Sequence, residues 1–299
     1  MFSLVACSVV LAACGAGPSS SPGPGVIQAI GAESVYANVL AQLGGKYIQV
    51  SSILNNPSAD PHTFEASASV AQEVAQAGLI VQNGLGYDAW MNTLESAPSA
   101  ASRRVIVAQN VLGLPDATPN PHLWYDPTTM PAVARAITAD LVALQPTHAS
   151  YFHTSLAAFL ASLKPWFASI ARFKSTHDHT PVAVTEPVSD YLLEAMGMQI
   201  ETPFAFQADV MNGVDPSPEA ISLVNGLISN HLVKVFCFNE QVVSALTASI
   251  RQSAISSSVP IVTVYETMPA PGYDFQTWML AEVDAIQAAV DTGASTLHL

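Results

Sequence analysis

The sequence predicts an α/β fold of two lobes, each a mainly parallel sheet flanked by helices, joined by one long connecting helix. Three observations support this. A chain of 299 residues exceeds the usual size of a single core, so two domains are expected. Short β-like apolar runs alternate with helical ones in both halves, the pattern of βαβ units. Between the halves a long helical pattern at 147–174 interrupts that alternation.

The first half reads as strand at 26–30, helix at 34–43, strand at 47–54, helix at 67–77, strand at 79–82, helix at 87–95 and strand at 105–108. A helix follows at 128–144, closed by Pro146. In the long segment after it, Phe152, Leu156, Phe159, Leu160, Leu163 and Phe167 recur at steps of mostly three and four, and Pro165 should kink or break it. The second half resumes with strands at 182–185, 199–202, 233–238 and 261–264, and helices at 189–196, 217–229, 242–254 and 275–291. The expected domains are an N-terminal lobe at 26–146, the connecting helix at 147–175 and a C-terminal lobe at 176–299.

The residues before the first lobe carry a different signal. The apolar run at 2–13 is too short to span a bilayer, which takes roughly 20 residues, and it ends in Leu11-Ala12-Ala13-Cys14-Gly15. No Lys or Arg precedes it, yet the phrase matches a bacterial lipobox, giving a signal peptide at 1–13 and Cys14 as the lipidated residue. Only Gly, Ala, Pro and Ser occupy 15–25, a flexible tether within the segment 14–25. Cys7 lies in the signal, which leaves Cys237 alone, an inert buried thiol with no partner for a disulfide or thiolate cluster.

Half of the residues are hydrophobic and 11% are charged, with a formal net charge of −14. Nucleic-acid binding is excluded as an expectation, because phosphate recognition demands clustered Lys and Arg. A negative surface instead concentrates cations.

Four side chains could hold one. His62 follows the strand ending near Leu54, and His122 the strand ending near Ala108; Glu186 directly follows Pro181-Val182-Ala183-Val184-Thr185, and Glu266 follows Ile261-Val262-Thr263-Val264-Tyr265. Loops after the carboxyl ends of strands are where α/β lobes place ligands, and two such loops from each lobe would converge in the interlobe cleft. Two neutral imidazoles and two carboxylates give a formal charge of −2, matched to a divalent cation. Asp60 and Glu65 are close enough in sequence to accept from the far nitrogen of His62. His177 and His179 could form a small accessory patch, and the other histidines read as surface groups.

Three phrases carry a family resemblance: Asp60-Pro61-His62-Thr63-Phe64-Glu65, Asn83-Gly84-Leu85-Gly86-Tyr87-Asp88-Ala89-Trp90, and Asn120-Pro121-His122-Leu123-Trp124-Tyr125-Asp126-Pro127. In order and spacing they resemble the signature stretches of metal-binding solute-binding proteins of zinc and manganese ABC importers. The resemblance implies that His62 and His122 are the first two ligands and Glu186 the third. It places Glu266 fourth, where the family usually carries Asp.

It further implies an extracytoplasmic, monomeric lipoprotein anchored to the bacterial cell membrane. Such a protein would deliver one Zn²⁺ or Mn²⁺ to an ABC permease and catalyse no reaction. Two rival functions are a secreted metal-dependent hydrolase, built on the same His and Glu residues, and a receptor of this fold for a siderophore or tetrapyrrole, which the His/Glu set disfavours. The sequence contains neither a His-Glu-x-x-His helix nor a Gly-x-Ser-x-Gly turn, and Arg is scarce, whereas a siderophore or tetrapyrrole calls for a wide aromatic or Arg-lined cleft.

Overall fold

A computed structural model describes residues 25–58, 60–96, 103–269 and 272–299. The signal, Cys14 and nearly all of the tether lie outside the described residues. In the first lobe the elements are β1 (Ile27–Glu33), α1 (Ser34–Gly44), β2 (Ile48–Leu54), α2 (Ala68–Gln76), β3 (Leu79–Gln82), α3 (Trp90–Glu95), β4 (Arg104–Val107), α4 (Ala108–Leu112) and α5 (Thr129–Leu144). Two helices lead onward, α6 (Ala149–Ser162) and α7 (Lys164–His177). The second lobe follows as β5 (Pro181–Val184), α8 (Asp190–Ala195), β6 (Gln199–Ile200), α9 (Phe204–Met211), α10 (Pro218–Ser229), β7 (Val235–Asn239), α11 (Ala245–Ser256), β8 (Ile261–Val264) and α12 (Phe275–Thr292).

Both sheets have four strands, all parallel, in the orders β2-β1-β3-β4 and β6-β5-β7-β8. The second order repeats the first element by element, so β5 stands in the place of β1 and β8 in that of β4. The interior strands β3 and β7 are buried along their whole length, as helix-covered parallel strands must be. The edge strand β2 instead presents Gln49, Ser51 and Ser52 toward solvent. At Gly31 in β1 a Cβ would stand 2.2 Å from the backbone nitrogen of Ala37, so only glycine lets α1 lie so close to the strand.

The connection is two helices rather than one. Pro165 sits in the first turn of α7, where its missing N–H costs nothing, and the break falls at Leu163. α12 returns alongside α7 and reaches the first lobe: Asn38 Oδ1 in α1 accepts the Phe275 N–H at 3.0 Å, and Gln42 and Gln276 exchange side-chain hydrogen bonds. One continuous core runs from Tyr36 and Leu40 through Trp124, Trp166 and Phe275 to Val184 and Val264. Cys237 is buried in it, and burial raises its thiol pKa, which keeps it protonated.

Several boundaries differ from expectation for local reasons. β6 stops at Ile200 because the Thr202 hydroxyl, not its backbone, accepts the Val184 N–H at 3.0 Å. α11 starts at Ala245, three residues late, because Ser244 and Thr247 form a capping box. α3 starts at Trp90 because 84–89 form turns, with positive φ at Gly84, Leu85 and Gly86 and i→i−3 bonds from Tyr87 to Gly84 and Met91 to Asp88. The short α4 and α9 are additions to the expected elements.

Candidate metal centre

His62 lies in a 3-10 turn, Pro61–Thr63, after β2. Pro61 fixes the backbone there, and Asp60 caps the turn by accepting the His62 backbone N–H at 2.8 Å. His122 immediately precedes a second 3-10 turn, Leu123–Tyr125, and is completely buried. Glu266 follows β8 and is also completely buried.

These three meet. Glu266 Oε2 lies 3.1 Å from His62 Nε2 and 3.2 Å from His122 Nε2, and one donor atom from each residue falls within 4.8 Å of the others. Among the described residues no other group of three His, Cys, Asp or Glu donors comes together in this way. His62 keeps 22% of its side-chain surface exposed, so the site opens to solvent on that side.

Glu186 stands beside the trio rather than in it. Asn239 Nδ2 donates to Glu266 Oε1 at 2.7 Å and to Glu186 Oε2 at 3.4 Å, so one amide spans both carboxyl groups. Glu186 Oε1 is buried and has no hydrogen-bond partner among the described residues. Asn239 is held in turn: Thr185 Oγ1 accepts its N–H at 3.1 Å, and its own Oδ1 accepts the Gln241 N–H at 3.0 Å.

The tautomer of His122 follows from its neighbours. Asn120 Nδ2 donates to the Pro187 carbonyl at 2.8 Å, which turns Oδ1 toward His122. That oxygen accepts from the His122 backbone N–H at 3.0 Å and lies 2.9 Å from Nδ1. Nδ1 therefore carries a proton, and Nε2, which contacts Glu266 Oε2, is the nitrogen left to offer its lone pair to a cation. Tyr87 donates its hydroxyl to Glu266 Oε2 at 3.0 Å and packs edge-on against both imidazoles.

Electrostatics separate the four groups. Burial lowers the pKa of His122 despite the nearby carboxylate, which favours the neutral ring. For His62 the burial penalty is outweighed by the hydrogen bond and charge of Glu266, and its pKa rises. Burial would raise Glu266, but hydrogen bonds from the two histidines hold it below the usual carboxylate range. Glu186 has no such partners; burial and then the charge of Glu266 push it up to about 9, so it carries a proton at neutral pH.

Asp60 thus supports the His62 backbone rather than its ring, because the residue directly before the turn is placed to cap it. Among the described residues Glu65 makes no hydrogen bond to His62. The ring partner that the sequence assigned to His62 belongs instead to His122, supplied by Asn120. Sequence reasoning also missed Tyr87 and Asn239. Tyr87 lies inside a quoted motif, and Asn239 directly follows a buried apolar run, so both had a signal. The accessory patch does not assemble: His177 pairs with Asp291 at 3.0 Å and His179 with Asp178 at 3.4 Å.

Comparison with known proteins adds the family. Residues 32–289 match the family described as zinc-uptake complex component A, periplasmic (ZnuA). The metal ABC transporter substrate-binding lipoprotein FimA of Streptococcus parasanguinis is 26% identical over 239 residues, 74% of this chain and 72% of its own. The manganese-binding lipoprotein MntA of Halalkalibacterium halodurans is 25% identical over 66% of this chain and 67% of its own. In fold, the periplasmic zinc binding protein TroA from Treponema pallidum superposes with a TM-score of 0.73 at 17% identity, covering 90% of this chain and 100% of that one. With most of its length matched and the same two-lobed α/β fold, the chain belongs to the periplasmic zinc-uptake component A family, whose members are substrate-binding components of metal importers.

Proposed function

We propose that this protein captures one divalent cation, Zn²⁺ or Mn²⁺, between its lobes and hands it to the permease of an ABC importer, without catalysing a reaction. The observation that carries this reading is the convergence of His62, His122 and Glu266 from three distant loops onto one point. Such a trio supplies two neutral nitrogen donors and one carboxylate, a set that suits either metal.

Glu186 is the proposed fourth ligand. Its buried, unpartnered Oε1 is costly without a cation, and a small side-chain movement past Asn239 would bring it to the ion. On binding it gives up its proton, and four protein donors leave little coordination space for a reactive water. The continuous core and the packing of α12 along α7 resist wide hinge motion, so release proceeds through the solvent-facing His62 turn. The manganese and zinc named for relatives support the cargo class, and the description of two of them as lipoproteins supports anchoring through Cys14 on the outer side of the membrane.

Titration of chelator-stripped protein with Zn²⁺ and with Mn²⁺, followed by competition, tests the reading. One tight site per chain is expected, and absence of binding by both metals would refute it.

A further inference from the structure

The turn that carries His122 ends on Tyr125, whose hydroxyl crosses to the other lobe. It donates to the Tyr265 carbonyl at 2.8 Å and accepts the Tyr265 N–H at 3.3 Å, so a single oxygen grips both polar groups of the residue immediately before Glu266. The third neighbour of that hydroxyl is Glu282 of α12, with Oε1 at 3.2 Å; the same Oε1 accepts Trp278 Nε1 at 3.0 Å. The Trp278 ring packs edge-on against the Tyr125 ring with centroids 5.7 Å apart, and all of these side chains are completely buried apart from Tyr265 at 7% exposure.

The geometry points to Tyr125 and Glu282 as a positioning pair that fixes the Glu266 loop against the His122 turn and so sets how slowly the site releases its cation. This rests on the reading of the site as a cation-binding centre. His122 and Glu266 belong to different lobes, and a hydroxyl three residues from one and one residue from the other ties the His122 turn to the backbone of the Glu266 loop. A tie of this kind orders ligands before the cation arrives, which lowers the cost of binding and lengthens the bound lifetime.

Glu282 acts here as a neutral group. Tyr125 has one hydroxyl hydrogen, contested by the Tyr265 carbonyl and by Glu282. An ionised carboxylate is the stronger acceptor and would draw that hydrogen away from the carbonyl, opening the tie. Glu282 has no cationic neighbour among its hydrogen-bond partners, its Oε2 is unpartnered among the described residues, and burial raises its pKa to about 8, so the uncharged acid leaves the hydrogen on Tyr265.

The test is stopped-flow measurement of Mn²⁺ association and chelator-triggered dissociation on the full chain, with circular dichroism as a check on folding. Tyr125→Phe keeps the ring and removes the tie. It should speed dissociation by ~10–100-fold, the scale of lost ligand-orienting partners, while association changes much less than dissociation. Glu282→Gln stays neutral and keeps an acceptor for Tyr125 and Trp278, so it should release Mn²⁺ at the wild-type rate, whereas Glu282→Ala removes that acceptor, loosens the Trp278 ring that packs on Tyr125 and should release it faster. A folded Tyr125→Phe with wild-type dissociation would overturn the proposal. So would Glu282→Gln as fast as Glu282→Ala, which decides the matter even should Tyr125→Phe fail to fold. Failure of the wild-type protein to bind Mn²⁺ or Zn²⁺ would instead refute the function of the site.

Discussion

Asn239 and Glu266 are joined by a 2.7 Å hydrogen bond from Nδ2 to Oε1, and that bond decides which carboxylate oxygen faces the histidines. With Oε1 held, Oε2 turns to His62, His122 and Tyr87. Substituting Asn239→Ala should release Glu266 and weaken Zn²⁺ or Mn²⁺ binding by ~10–100-fold. Asn239→Asp should be worse, because it sets a third acid against two buried ones. Calorimetric titration of both variants checks the order.

Asn120 governs the tautomer of His122 through Oδ1. Asn120→Ala should cost ~10–100-fold in affinity, whereas His122→Ala removes the nitrogen donor itself and should cost still more. Equal loss from both would mean that His122 does not reach the cation. Equilibrium competition against a chelator of known affinity separates the two.

The buried acids predict an inverted pH dependence for the metal-free protein. Glu186 is raised to about 9, and Asp190 and Glu282 to about 8, in each case chiefly by burial. The folded chain keeps protons that the unfolded chain sheds near the ordinary values of 4.5 and 3.8, so stability falls as pH rises between those limits. His122, lowered by burial, works the other way below its ordinary 6.5, but Glu33 and Asp88, also raised by burial, act with the three acids against it. Metal-free protein should therefore melt several degrees higher near about pH 5.5 than near about pH 8. Saturating Zn²⁺ should reverse the order, because the cation displaces the Glu186 proton and binds more tightly as pH rises. Thermal melts at both pH values, with and without metal, test the sign.

Cys14 is predicted to carry the lipid. Cys14→Ser expressed in a bacterial host should move the protein from the membrane fraction to the soluble extracytoplasmic fraction. Retention in the membrane would discredit the lipobox.

The parallel sheets were legible because buried strands such as 79–82 and 261–264 are short, mostly apolar and rich in Ile and Val. His62, His122 and Glu266 were legible for a related reason: each stands just past a strand or a proline, where the fold must end a β-run and open a loop. The position of Glu186 was not, since whether a carboxyl touches the cation point or an intervening amide depends on Asn239, far away in sequence. The tie from Tyr125 to Tyr265 was hidden likewise, because it spans lobes and has no local signature. α4, with only five residues, gives too few turns for periodicity to register.

The most direct measurement is anomalous diffraction from crystals of the protein loaded with Zn²⁺. The expected result is one peak per chain at about 2.0–2.2 Å from His62 Nε2, His122 Nε2 and a Glu266 oxygen, with Glu186 drawn in as the fourth ligand. A peak remote from His122 and Glu266, or no ordered peak at full loading, would contradict it.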